Sequence, residues 1–238
     1  MFTFSLNPSY VINKSIKIFG NISSGFKAPS LYQVFSEYHI PVGELNPEKS
    51  LSIEGGIQYY KDNVNLRAVY FSRNISDNIV FVGTNNPPYG YYTNADKQKV
   101  KGLELEASVN FGKVQLTANY VNLDGKIETK NGAKDTSFFN LYRRPRQTIN
   151  LNVGINICKS WNLNIGIQSI SKRSEFLYGN PPIEMPAYYV WNLYSTYSIT
   201  KNIKAFVDLK NITDEKYAEV RGYNSRRFNF MAGVNLSF

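Results

Sequence analysis

The sequence predicts an all-β fold: an antiparallel transmembrane β-barrel wall of about eleven strands, incomplete by itself. Three observations carry that prediction. Apolar and polar residues alternate with a period of two along most of the chain, and no comparable stretch shows a period of 3.6. Short connections alternate regularly with long ones. No apolar run approaches the ~18 residues that a membrane-spanning helix needs, whereas the strands suit a tilted crossing of about 9–11 residues.

The strands are expected near residues 2–12, 15–27, 48–60, 63–83, 90–111, 113–125, 144–158, 160–175, 187–199, 201–212 and 226–238. In the fifth, Leu103, Leu105, Ala107, Val109 and Phe111 alternate with Glu104, Glu106, Ser108 and Asn110. The seventh sets Ile149, Leu151, Val153, Ile155 and Ile157 against Asn150, Asn152, Gly154 and Asn156. The last alternates Phe228, Phe230, Ala232, Val234, Leu236 and Phe238 with Asn229, Met231, Gly233, Asn235 and Ser237. Such patterning gives each strand one apolar and one polar face.

The short links are Ile12-Asn13-Lys14, Lys61-Asp62-Asn63, Gly112-Lys113, Cys158-Lys159 and Thr200-Lys201-Asn202. The long ones run over 28–47, 84–89, 126–143, 176–186 and 213–225. Segregated turn lengths are the layout of an outer-membrane barrel, with turns on the periplasmic side and loops outside. Aromatics gather at strand ends, as in Tyr59-Tyr60, Tyr188-Tyr189, Trp191 and Tyr197, where interfacial girdles belong. Glu54, Arg67, Glu104, Glu106, Lys204 and Asp208 fall on the polar face, which in a wide barrel meets water or a plug.

Composition removes other classes. The net charge of +9 is spread singly along strands and loops, and beyond Arg143-Arg144-Pro145-Arg146 it forms no basic cluster, so nucleic acid is not an expected partner. One cysteine, Cys158, excludes an intrachain disulfide, and one histidine, His39, excludes a histidine-based metal centre. No catalytic constellation, cofactor motif or calcium-loop spacing occurs; Glu37, Glu44, Glu48, Asp124 and Asp135 are too dispersed. The sequence therefore points away from an enzyme, and no cofactor or metal is expected.

Three stretches carry a family resemblance. "GFKAPSLYQVFSEYHIPVGELNPEKS" (Gly25–Ser50), "TNADKQKVKGLELEASV" (Thr93–Val109) and "DLKNITDEKYAEVRGYNSRRFNFMAGVNLSF" (Asp208–Phe238) resemble, in this order, the signatures of TonB-dependent outer-membrane receptors. "LYRRPRQTINLNVGI" (Leu141–Ile155) leans towards the cobalamin (vitamin B12) branch. The resemblance implies localisation to the bacterial outer membrane and energy-dependent uptake of a scarce small-molecule nutrient, cobalamin or a siderophore-type ligand. It also implies as partners outer-membrane lipid and lipopolysaccharide, an N-terminal plug with further barrel strands, and an inner-membrane energy-transducing complex acting through the plug. The resemblance implies that residues 1–238 are the C-terminal part of such a barrel, an incomplete half of its 22 strands, with the plug domain and signal peptide expected to be absent from it. A passive porin and a surface adhesion barrel are the alternatives.

Ligand contact is expected from the long loops: Tyr32, Phe35, Tyr38 and His39 in the first, and Tyr89, Tyr91 and Tyr92 in the second. Exposed aromatics offer stacking surface at low entropic cost, although the same rings could pack loop on loop. Arg143 and Arg144 suit either an anionic ligand or lipid phosphates. Strand parity adds one expectation. With eleven antiparallel strands the first and last run the same way, so 2–12 and 226–238 should remain free edges rather than pair with each other.

Overall fold

The computed structural model describes residues 2–36, 44–84, 86–87, 89–131, 134–138, 142–177 and 180–238. In chain order its elements are β1 (Ser5–Leu6), β2 (Ser9–Val11), β3 (Ile16–Lys27), helix α1 (Leu31–Phe35), β4 (Glu48–Lys61), β5 (Val64–Gly83), β6 (Gly90–Phe111) and β7 (Val114–Asn131). They continue with β8 (Lys134–Phe138), β9 (Gln147–Cys158), β10 (Trp161–Ile170), β11 (Arg173–Leu177), β12 (Asn180–Met185), β13 (Tyr188–Ser198), β14 (Ile203–Lys210) and β15 (Asn229–Leu236). Among the described residues, one antiparallel sheet runs β1-β3-β4-β5-β6-β7-β9-β10-β13-β14-β15, with β2 also on β3 and β8 on the outer half of β7.

Eleven staves in sequence order are what the periodicity predicts. The first and last pair only with β3 and β14, so the wall is open, an arc of a barrel with its two edges running in the same direction. In lipid such edges are costly, because each backbone group without a partner loses several kcal/mol.

The sheet is one layer thick, so each face must be solvated by something. On one face Ile53, Ile57, Leu66, Tyr70, Phe230 and Leu236 lie exposed, a continuous apolar surface that hydrocarbon accommodates and water does not. The other face is polar and hydrogen-bonded: Gln168 donates to Asn150 at 3.3 Å, and Asn150 to Asn119 at 3.3 Å. At three places on that face an aromatic ring lies across a directly paired glycine: Phe19 on Gly56, Phe71 on Gly102 and Phe206 on Gly233.

The short turns close as expected. Asp62 and Gly112 take left-handed backbone (φ 49° and 53°), which aspartate and glycine tolerate. Asn13 Oδ1 accepts from the Ser15 and Ile16 amides at 2.8 and 2.9 Å, and Thr200 Oγ1 from the Asn202 and Ile203 amides at 3.2 and 3.1 Å. Trp161 Nε1 donates to Ser195 Oγ at 2.9 Å beside the turn after β9, keeping a polar tip satisfied in an interfacial girdle.

Several boundaries differ from the sequence reading. Strand 2–12 is broken at Asn7-Pro8, because proline has no amide to donate; its carbonyl still accepts from Gly20 at 2.9 Å. Strand 160–175 ends at Ile170, and β11 and β12 form a separate hairpin across 173–185. Strand 113–125 continues to Asn131 and returns as β8, inside what reads as a loop. Helix α1 is the remaining addition. Its capping box, in which Ser30 Oγ accepts from the Gln33 amide and Gln33 from the Ser30 amide, follows the S-x-x-Q spacing of Ser30–Gln33.

Candidate functional site: the loop-side rim and the inner wall

The first long loop is tied to the second by its N-P-E-K-S segment. The Asn46 amide donates to Asn94 Oδ1 at 2.8 Å, while Asn94 Nδ2 donates to the Asn46 and Asp77 carbonyls at 2.9 and 2.6 Å. Glu48 accepts from the Ile79 amide at 2.8 Å and pairs with Lys27 at 3.3 Å, and Lys49 pairs with Asp77 at 3.6 Å. Glu48 is thereby committed to structure. Among the described residues no group of three His, Cys, Asp or Glu is placed to hold a metal.

These ties set α1 beside the ends of β5 and β6. The Tyr32 ring meets Tyr92 edge-on at 6.3 Å and 79°, and Tyr92 meets Phe81 at 5.2 Å and 64°. Tyr32 is 60% exposed and Phe35 79%, so this aromatic chain presents an open end. Tyr89 is exposed on left-handed backbone (φ 64°), and Tyr91 is half-buried opposite Val82. The structure thus joins Tyr32 to Tyr92 and adds Phe81, which the sequence reading missed; among the described residues Phe35 has no ring partner. Tyr38 and His39 lie outside the described residues.

Further down the strands, the inner face holds a recess of about 560 Å³ lined by Ser52, Glu54, Arg67, Arg73, Glu104 and Arg144 among others. Arg67 pairs with Glu106 at 2.8 Å and lies over the Phe19 ring at 5.2 Å. Arg73 donates to Ser52 Oγ at 3.0 Å. Arg144 therefore faces the lumen rather than lipid.

Arg143 has a different task. Its Nε donates to Glu175 Oε1 at 2.8 Å, and its amide to the Ser174 carbonyl at 2.8 Å. The Glu175 side chain is only 3% exposed, and its Oε2 has no partner among the described residues. Next to it Arg173, 5% exposed, donates to the Pro186 carbonyl at 3.2 Å and to that of Ala218, and lies 5.3 Å from the Tyr188 ring, which stacks on Tyr217 at 4.2 Å. This hub joins the β11–β12 hairpin to the last loop. Its members are far apart in sequence, and local patterning gave no sign of it. Arg143→Ala should cost about 2 kcal/mol by stranding a buried carboxylate, whereas Arg144→Ala should leave stability within about 0.5 kcal/mol. Urea midpoints of the two variants check the contrast.

The last loop carries a second acid pair. Asp214 accepts from Arg227 Nε at 2.7 Å, again from Arg227 Nη2, and from the Phe228 amide at 2.9 Å. The Arg227 hydrogen bond first, and the Phe228 amide second, hold its carboxyl below the usual carboxylate range. A lowered pKa adds stability that is complete above the ordinary carboxylate value and is lost as pH falls through the lowered one. Residues 211–228 should therefore keep their protease resistance at about pH 5 and lose it towards about pH 2, with Asp214→Asn sensitive at both. Limited proteolysis with an acid-active protease reads this directly.

An open antiparallel wall with an apolar outer face, a charged inner face and an aromatic rim on its long-loop side defines a membrane-barrel receptor wall. The match to known families agrees: residues 1–212 fit the family described as TonB dependent receptor-like, beta-barrel, and the chain belongs to it. Its place is the bacterial outer membrane. Similar solved structures include the siderophore receptor PirA from Acinetobacter baumannii, with TM-score 0.76 and 19% identity over 99% of this chain and 41% of that one. The ferric-catecholate import receptor Fiu of E. coli K12 aligns with TM-score 0.79 and 19% identity over 98% and 34%. The ferripyoverdine receptor of Pseudomonas aeruginosa, bound to ferripyoverdine, gives 0.79 and 19% over 98% and 32%. The chain thus spans well under half the length of these receptors.

Proposed function

We propose that this chain is the C-terminal part of the barrel wall of a receptor that takes up a scarce nutrient across the outer membrane, with a ferric siderophore as its ligand class. The observation that carries the reading is the Tyr32–Tyr92–Phe81 chain above an inner wall bearing Arg73 and Arg144. Aromatic faces stack on planar iron-chelating groups, and guanidinium groups answer the anionic charge of many iron chelates. Receptors of the same fold named for siderophores support the ligand class. Cobalamin, suggested by "LYRRPRQTINLNVGI", is the less favoured ligand, because Arg143 in that stretch is committed to Glu175.

In this reading the charged recess faces a plug, and an energy-transducing complex of the inner membrane acts through that plug. The chain carries no catalytic step. The test is uptake of ⁵⁵Fe-siderophore and of labelled cobalamin by cells expressing the parent gene, with and without a proton-motive force. Energy-dependent iron uptake is the expected result. Cobalamin uptake alone would overturn the ligand class, and uptake that survives de-energisation would indicate a porin. Tyr32→Ala and Tyr92→Ala should each weaken ligand binding by about three- to tenfold while leaving the fold unchanged.

A further inference from the structure

The lumen face of the wall is divided in two. On β4–β6 it carries Glu54, Arg67, Arg73, Glu104 and Glu106. On β7, β9, β10 and β13 the register turns every second residue of 115–123, 148–156, 162–170 and 188–198 to that face, and none of them is Asp, Glu, Lys, Arg or His. Amides take the place of the charges. Asn119, Asn150 and Gln168 form one hydrogen-bonded row, and further down β9 Asn156 accepts from Asn162 at 2.9 Å. From Asn150 to Asn156 the strand rises about 20 Å.

Two glycines lie between these rows. Gly154 is paired with Gln115 and Asn164, and Gly166 with Asn152 and Asn192. On the charged wall the inward Gly56 and Gly102 are covered by the Phe19 and Phe71 rings; here the nearest groups are the paired residues themselves, with no ring among them. A Cβ added at Gly154 would meet nothing nearer than 3.5 Å, and its backbone is not left-handed, so neither packing nor conformation requires glycine there. At Gly166 the nearest atom, 3.0 Å away, is Oδ1 of the flexible Asn152 side chain. Glycine weakens a strand, and one without a local reason marks the close approach of a ligand or another backbone. Gln115, Asn152 and Asn164 border the resulting notch, and their side-chain amides have no hydrogen-bond partner among the described residues.

The loop-side end of this amide wall is covered, because Ile170, Tyr188 and Val190 form a buried cluster against which Tyr217 of the last loop packs. On the β6 side the wall is continuous with the charged face. Asn119 is paired with Glu106, and the recess lined by Arg144 extends to Leu123 on the same strand as Asn119.

We propose that the nutrient passes along these amides and through the Gly154–Gly166 notch, entering from the recess across β7 rather than descending the charged face of β4–β6. The proposal rests on the reading of the chain as part of an uptake receptor, and it holds for a ferric chelate and for cobalamin alike. Passage needs contacts strong enough to admit a solute and weak enough to release it. Side-chain amides both donate and accept, so they exchange hydrogen bonds with a hydrophilic solute of either charge. Charge-assisted bonds are about twice as strong and would hold an anion in place.

The test uses the full parent receptor in cells, with whichever of ⁵⁵Fe-siderophore and labelled cobalamin the native receptor takes up. Gly154→Leu, which fills the notch, and Asn152→Arg, which sets a charge beside it, should each slow uptake about tenfold while binding to de-energised cells stays at the native level. Ser108 faces the lumen in the same register row as Asn152, on the other side of Thr117. Ser108→Leu and Ser108→Arg should take up the probe at the native rate. Native uptake by the Gly154→Leu and Asn152→Arg receptors, or equal slowing by the Ser108 pair, would overturn the route. Lost binding in de-energised Gly154→Leu cells would overturn it too, by showing that the notch seats a resident part of the receptor. A second reading needs no nutrient. In a Cys158→Ser background, which removes the exposed native thiol, an impermeant maleimide added outside energised cells should label Gly154→Cys and leave Ser108→Cys unlabelled. Any other pattern overturns the route, even where neither probe is taken up and the uptake reading itself has failed.

Discussion

Gly102→Ala is expected to cost the wall about 3 kcal/mol, at the upper end of overpacking penalties. A Cβ built at Gly102 falls 2.5 Å from the Asn122 carbonyl oxygen and 2.5 Å from the Phe71 ring. The ring could swing aside, but the backbone oxygen belongs to the β6–β7 ladder, where Gly102 is paired with Leu123. Gly233 provides the contrast. Its Cβ would meet only the Phe206 ring, at 2.8 Å and beyond. A second change, Phe206→Leu, should therefore recover nearly all the cost of Gly233→Ala, whereas Phe71→Leu should recover only part of that of Gly102→Ala. Urea titrations of the refolded chain in lipid vesicles give both double-mutant cycles. Full recovery at Gly102 would show that the backbone contact does not matter.

The period-two pattern made the eleven staves and their two faces legible, because each stave meets lipid on one side and a polar lumen on the other. The alternation of Leu103, Leu105 and Ala107 with Glu104 and Glu106 is a direct record of that environment. It fails where the chain leaves the membrane. "KRSEFLYGNPPIEMP" (Lys172–Pro186) shows no alternation that separates β11–β12 from β10, since both faces of that hairpin meet protein or water. Helix α1 was legible in principle from Ser30 and Gln33, but a five-residue helix leaves no hydrophobic period to confirm it.

The rim was half legible. Aromatic density marked Tyr32 and Tyr92, yet their meeting depends on Asn46 and Asn94, 48 residues apart, exchanging hydrogen bonds. Arg143 and Arg144 read identically in sequence. Backbone geometry divides them: left-handed Arg143 (φ 63°) is directed to Glu175, and its neighbour joins the lumen wall. Spacing alone cannot assign two adjacent arginines to opposite roles when the deciding partner is 32 residues away.

Asn211→Ala should be nearly as damaging as Gly102→Ala, at about 3 kcal/mol, although it removes only three heavy atoms. Asn211 is 2% exposed and left-handed (φ 51°) at the end of β14. Its Oδ1 accepts from the Glu215 amide at 2.8 Å, and its Nδ2 donates to the Glu215 carbonyl at 3.0 Å and the Arg226 carbonyl at 3.3 Å. Its own amide donates to Asn192 Oδ1 at 3.0 Å, tying the loop to β13. Each lost hydrogen bond contributes about 1 kcal/mol and leaves a buried partner unsatisfied. Left-handed backbone costs alanine a further ~1 kcal/mol or more, which glycine escapes. Asn211→Gly should therefore be about 1 kcal/mol milder than Asn211→Ala, and Asn211→Asp should keep the acceptor while losing both donated bonds. The damage should spread. The loop that Asn211 organises carries Tyr217, stacked on Tyr188, and Ala218, whose carbonyl receives Arg173. In Asn211→Ala, proteolysis between Ile212 and Arg227 should accelerate together with cleavage of the β11–β12 hairpin. Accelerated cleavage of the last loop with an unchanged hairpin would show that the two move independently and that Arg173 does not join them.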